Sequence, residues 1–156
     1  MFTSQNESEF FLDKLKSHHS VLEYGSGSST NEISKRVKKL ISIEHQEDWY
    51  NKIKNDLQNN VCLFLAKPDL PYQEGGHCGS YEEFETYINK PLDHGPYDII
   101  YIDGRARVEC ARVCNKMSTK DTLIFVHDFH RGEYQVILSI LEYIDHQETM
   151  YMFRVK

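Results

Sequence analysis

Late in the sequence stand three residues whose types can do chemistry together: Asp103, His127 and Asp128. Each follows a short apolar run, YDIIYI before Asp103 and TLIFV before the histidine–aspartate pair. A histidine in this setting can take a proton from a hydroxyl as that oxygen attacks, because its ordinary pKa lies near neutrality. His127, closest to its apolar run, is the first choice for that base. The two aspartates can instead hold Mg2+ or another divalent cation, which would orient and acidify the same hydroxyl. The residue types allow both readings. His130 and Arg131 lie just beyond, and Arg105 and Arg107 follow Asp103. Guanidinium groups there suit a carboxylate on a substrate, gripped through paired N–H donors. The same arginines equally suit the first turn of a helix, and an aspartate before a glycine often only caps or turns the chain.

A second constellation sits early, in VLEYGSGSST, residues 21–30. Gly25 and Gly27 match the first two glycines of the dinucleotide fingerprint GxGxxG, while Thr30 stands where the third belongs. Glu44 ends the run LISIE, about twenty residues further on, where an acid accepts hydrogen bonds from ribose hydroxyls. The competing reading is a tight turn and an unrelated surface glutamate. Glu23 adds a constraint. A carboxylate beside the glycines repels a pyrophosphate and suits an ammonium or sulfonium group. That favours S-adenosylmethionine over NAD.

Both constellations need elements to position them. Short apolar runs alternate with helical patterns: strands at Val21–Tyr24, Leu40–Glu44, Val61–Ala66, Tyr97–Asp103 and Thr122–His127, and helices at Thr30–Val37, Asp48–Leu57, Tyr81–Ile88, Arg105–Met117 and Glu133–Ile144. This order predicts one α/β domain over residues 1–156: a doubly wound, mostly parallel sheet with helices on both faces. Ligands of such sheets bind beyond the carboxyl ends of the strands. Every residue singled out above falls there. Trp49, at helical spacing from Ile53 and Leu57, reads as core. The loop Lys67–Ser80, with Tyr81 after it, reads as a lid. Only twelve residues follow Ile144, room for one last strand at Met150–Val155.

VLEYGSGSS resembles motif I of the class I S-adenosylmethionine-dependent methyltransferases, with Glu23, Gly25, Gly27 and Ser29 on the pattern. LISIEH resembles the second motif, with Glu44 as the ribose-binding acid and His45 beside it. YDIIYIDGRARVECA and TLIFVHDFHRGEY are similar to the fourth- and fifth-strand motifs of a branch of small methyltransferase-like proteins, some linked to glycan methylation. The resemblance implies cofactor contacts from Glu23, Gly25, Ser26, Gly27, Ser29, Thr30, Glu44, His45 and Asp103. It implies catalysis by Asp103, His127 and Asp128, and acceptor contacts from Arg105, His130 and Arg131. Catechol-type O-methyltransferases are similar in carrying acidic metal ligands, here Asp103 and Asp128, after the fourth and fifth strands. The implied activity is O-methylation of a sugar, a glycan or a small molecule. A catalytically idle binding module of the same fold and an NAD-dependent oxidoreductase are the alternatives. The family sheet ends in an antiparallel hairpin, so the short C-terminal segment predicts a missing strand and suggests a homodimer that completes the edge.

Composition narrows the partners. Hydrophobic residues make up 40% of the 156, charged residues 27%, and the formal net charge is −6. No basic stripe points to nucleic acid, and no apolar run is long enough for a membrane. Cys62, Cys78, Cys110 and Cys114 form no metal-binding spacing and read as reduced thiols of a cytoplasmic protein. The N-terminus MFTSQNESEFF lacks the basic start and apolar stretch of a signal peptide.

Overall fold

The computed structural model describes residues 3–73 and 77–156. Seven strands form one sheet: β1 Ser20–Tyr24, β2 Lys39–Glu44, β3 Val61–Leu65, β4 Tyr97–Ile102, β5 Ser118–Val126, β6 Leu141–Gln147 and β7 Met150–Val155. Their order is β3-β2-β1-β4-β5-β7-β6. The first five run parallel, and β7 lies antiparallel between β5 and β6. The helices are α1 Gln5–Leu12, α2 Ser28–Ser34, α3 Glu47–Ile53, α4 Tyr81–Asn89, α5 Arg107–Val113 and α6 Ile137–Ile140.

Strand residues alternate between two buried faces, as the period of two requires. Leu22, Tyr24, Ile100 and Ile102 join one core with Phe84 and Tyr87 of α4 and Cys110 of α5. Val21, Ile99 and Tyr101 join the other with Phe11 of α1 and Ile33 of α2. The doubly wound α/β expectation therefore holds.

The C-terminal expectation does not. Residues 133–144 are not one helix. The chain makes a 3-10 turn at Gly132–Tyr134 and the short α6, then enters β6 at Leu141. Leu141 to Gln147 pair antiparallel with Val155 to Met150, so the hairpin is present and β5 is not an edge. The periodic pattern through Leu138 and Ile144 misled: both are exposed, at 44% and 38%. Backbone pairing with β7 outweighs a helix that would have left the β7 amides and carbonyls unpaired on that side. The reason for expecting a homodimer, an incomplete sheet, falls away with this. No helix among the described residues is long and apolar enough to cross a membrane.

Candidate functional site

The sheet carries its parallel pairing one residue past each strand end, which fixes the site backbone. Gly25 N donates to Ile43 O at 2.9 Å, Asp103 N to Tyr24 O at 2.9 Å, and His127 N to Ile102 O at 3.1 Å. Gly25 has φ +93°, a left-handed conformation that favours glycine. A Cβ there would lie 2.6 Å from Gly104 Cα, so the turns after β1 and β4 touch through two glycines. Gly27 differs: its backbone is extended and a Cβ would meet nothing within 4 Å.

A cavity of about 360 Å3 opens over this contact. One end is walled by Ser26, Glu44, His45, Gln46 and Trp49, the other by Asp103, Arg105, Arg107 and Arg131. A second hollow of about 400 Å3 shares His45 and Gln46 and reaches Pro68 and Tyr72. Glu44 is only 2% exposed and fully engaged. Its Oε2 accepts from Ser26 N at 3.1 Å and Ser26 Oγ at 2.6 Å, and its Oε1 from the amides of His45 and Gln46, both at 2.8 Å. Burial alone would raise its pKa, but the hydrogen bonds from His45, Ser26 and Gln46 lower it below the usual carboxylate value. Trp49, expected in the core, instead lines the cavity and donates from Nε1 to Ser26 O at 2.9 Å.

Behind the other end lies a buried charge cluster. His127 is 2% exposed, with Nδ1 2.9 Å from Asp103 Oδ1 and Nε2 3.1 Å from Glu7 Oε2. Burial disfavours the imidazolium, but the hydrogen bond and charge of Asp103, then Glu7 and Asp128, outweigh it and raise the pKa above 6.5. Asp103 also accepts from Tyr101 at 3.1 Å. Its burial is overcome by His127 and Arg107, which hold its carboxyl at about 2. Glu7 is held at about 2 as well: burial opposes this, and hydrogen bonds from Thr149, Thr3 and His127 prevail. Arg107 places Nη2 3.4 Å from Asp103 Oδ1 and 3.2 Å from Asp128 Oδ2. It also donates to the carbonyls of Gly104, His127 and Asp103.

Solved structures match this chain along nearly its whole length. A methyltransferase-like protein from Silicibacter pomeroyi is similar over 100% of this chain and 88% of its own, with a TM-score of 0.78 and 23% identity. A TehB-like S-adenosylmethionine-dependent methyltransferase from Corynebacterium glutamicum gives a TM-score of 0.65 at 10% identity, over 97% and 88% of the two chains. The N-methyltransferase NodS from Bradyrhizobium japonicum gives 0.61 at 12% identity, over 96% and 94%. This is the class I methyltransferase fold. No family model matches the sequence, and no curated protein matches it.

Within that fold the expected site residues separate into three groups. Gly25, Ser26, Glu44, His45, Asp103, Arg105 and Arg131 line the cavity. Glu23, Gly27, Ser29 and Thr30 do not. Glu23 is fully buried and accepts from Ser29 Oγ at 2.6 Å, Thr30 Oγ1 at 2.7 Å and Ser42 Oγ at 2.7 Å. It anchors the turn from beneath and does not face a ligand's cationic centre. His127, Asp128 and His130 are not in the wall: His127 is buried, Asp128 half-buried and His130 exposed. With a carboxylate on each nitrogen, His127 has no lone pair for a substrate hydroxyl, which removes the geometric basis for making it the base. Asp103, His127 and Asp128 do present ligand atoms within 4.8 Å of one another. A metal does not fit there, because the Arg107 guanidinium already supplies the cation between the two aspartates.

Two cluster members escaped the sequence reading. Glu7 lies on α1, in no motif, and nothing local marks it. Arg107 was recognised only as a rim arginine; its position four residues after Asp103 was the available signal. Of the expected lid, Gly75 and Gly76 lie outside the described residues. Its flank is tied to α4, where Asp69 accepts from Thr86 N at 2.8 Å and Thr86 Oγ1 at 2.5 Å. Tyr81 accepts from Asn89 of its own helix and is not in the cavity wall.

Proposed function

We propose that this chain binds S-adenosylmethionine and transfers its methyl group to a hydroxyl of a sugar, glycan or other small molecule. The observation that carries the reading is Glu44. An ionised carboxylate ends β2 in the cavity wall that Gly25, Gly104 and Trp49 also line. Ribose hydroxyls are its natural donors, and they would replace the hydroxyl of Ser26. The hollow toward Pro68 and Tyr72 has room for a base. Asp103, kept ionised by His127, Arg107 and Tyr101, suits an ammonium group. The cofactor supplies, when bound, an electrophilic methyl on a sulfonium.

The residues of this chain then act mainly by orientation, which alone can supply a large part of a rate. Asp103 would accept a hydrogen bond from the acceptor hydroxyl and restrain it; as the hydroxyl oxygen takes the methyl, the sulfur keeps the electron pair of the broken C–S bond and the hydroxyl's proton leaves to solvent through the open cavity. Held at about 2, Asp103 is a weak base at neutral pH. The engagement of both His127 nitrogens also favours a second reading, a binding module without turnover.

Calorimetric titration of S-adenosylhomocysteine tests the binding. Micromolar affinity is expected, unchanged by Mg2+ or EDTA. Glu44→Ala should weaken it by about 1–3 kcal/mol, the range for hydrogen bonds to a charged group. No binding to the wild-type chain would overturn the proposal. Binding without methyl transfer to any hydroxylated acceptor would leave the binding module.

A further inference from the structure

Glu44 carries the cofactor reading, yet its capacity to accept hydrogen bonds is already taken up within the chain. A carboxylate offers about four lone-pair directions. Oε1 receives the amides of His45 and Gln46, both at 2.8 Å, and His45 Nδ1 also lies 3.1 Å from it. Oε2 receives Ser26 N at 3.1 Å and Ser26 Oγ at 2.6 Å. Three of these four hydrogen-bond donors are main-chain amides, and the fourth is a side-chain hydroxyl. A ribose can reach this carboxylate only where one of them gives way.

The amides are held by the fold. Glu44 O accepts from Ala66 N at 2.8 Å, and Gln46 O accepts from Tyr50 N at 2.9 Å, so the chain on either side of His45 is fixed by β3 and by α3. The backbone around Ser26 is fixed as well. Gly25 N donates to Ile43 O at 2.9 Å, Trp49 Nε1 to Ser26 O at 2.9 Å, and Gly27 N to Thr30 Oγ1 at 2.9 Å. Gly25 cannot retreat, because it already touches Gly104. The Ser26 hydroxyl differs from all of these. Ser26 is half-buried and lines the cavity, and its Oγ moves by rotation about one bond between staggered positions. It is also the donor that a ribose hydroxyl resembles most, an O–H directed at a charged oxygen.

We infer that Ser26 is an internal stand-in for the ribose: its hydroxyl caps Glu44 until a nucleoside arrives, then swings aside and releases one acceptor direction and no more. Glu44 therefore holds a single ribose hydroxyl, and the other stays with the water of the open cavity. Ser26 competes with the ligand and so lowers its affinity. The inference rests on the cofactor reading above and specifies how that site recognises the sugar.

The test is calorimetric titration of S-adenosylhomocysteine and of its 2′-deoxy and 3′-deoxy analogues into the wild-type chain and Ser26→Ala. On the wild-type chain, loss of one hydroxyl should weaken binding about tenfold, as expected for a lost hydrogen bond to a charged group, and loss of the other should leave it within about twofold. Equal losses for the two analogues, or no loss for either, would overturn the inference. Ser26→Ala should tighten S-adenosylhomocysteine binding about threefold or more, because no internal donor has to be displaced. For the analogue that lacks the contacting hydroxyl, the same substitution should change affinity by less than about twofold. A merely structural role for Ser26 in its turn would shift all three ligands alike, and that result would overturn the inference. Unchanged or weaker S-adenosylhomocysteine binding to Ser26→Ala would do so too. If the wild-type chain does not bind S-adenosylhomocysteine at all, the cofactor reading fails and takes this inference with it. Failure of the analogue series or of Ser26→Ala alone leaves the cofactor reading standing.

Discussion

Glu7 belongs to the first helix, yet with Asp103 it helps to set the state of a histidine 120 residues away. Its carboxylate accepts from Thr149 N at 2.8 Å and Thr149 Oγ1 at 2.6 Å while meeting His127 Nε2 at 3.1 Å. The pair is fully buried. Breaking one side of such a pair leaves a charge without its partner, which costs about 3–5 kcal/mol. Glu7→Gln should therefore lower unfolding free energy by about 3 kcal/mol in urea titrations. A loss below about 1 kcal/mol would show that the imidazolium does not depend on Glu7. The structure separates the residues that were singled out by their types. Asp103 does face the cavity. His127 does not, and its role is to hold Asp103 ionised and in place.

The turn between β1 and α2 shows why equal motif letters need not have equal physical roles. Gly25 is pressed against Gly104 with positive φ, while Gly27 is extended over open space. Gly25→Ala should cost more than about 2 kcal/mol and abolish cofactor binding, because the added methyl must part the turns after β1 and β4. Gly27→Ala should change stability by less than about 0.5 kcal/mol. Thermal denaturation of both variants checks the pair, and equal losses would contradict it. At the other end of the chain, the segment LSILEYIDHQ carries apolar residues that suit either a helix or a strand. The partner β7 settles the matter for Leu141–Gln147.

Across the whole molecule the buried carboxylates pull stability in opposite directions with pH. Glu7 and Asp103 are held at about 2, below their ordinary values. Their stabilisation is complete above about pH 4.5 and is lost as pH falls toward 2. His127 is raised above 6.5, so its contribution is present below that pH and is lost as pH rises through the folded value. Glu23 is pushed up to about 7, chiefly by burial, with the hydroxyls of Ser29, Ser42 and Thr30 opposing. The folded chain then keeps a proton that the unfolded chain gives up near 4.5, so Glu23 erodes stability as pH rises toward 7. Melting temperature should peak near about pH 5 and fall by about 5 °C by pH 8. Glu23→Gln should flatten the fall between pH 5 and 7. A melting temperature that climbs steadily to pH 8 would rule this account out.

The sequence by itself determined the alternation of strands and helices, the α/β class and the strand ends at which chemistry gathers. These follow from local periodicity and from the small residues of VLEYGSGSST, which neighbouring residues suffice to specify. Glu44 beside a glycine turn was legible for the same reason: its spacing follows from one strand, one helix and the next strand. The tertiary structure decided what no local pattern holds. It buried Glu23 under its own turn, placed Glu7 against His127, put Arg107 where a metal was expected, and turned the end of a helical pattern into β6. Each of these depends on a partner distant in the chain. Ionisation, burial and strand pairing are properties of the pair, and only folding brings the second member into reach.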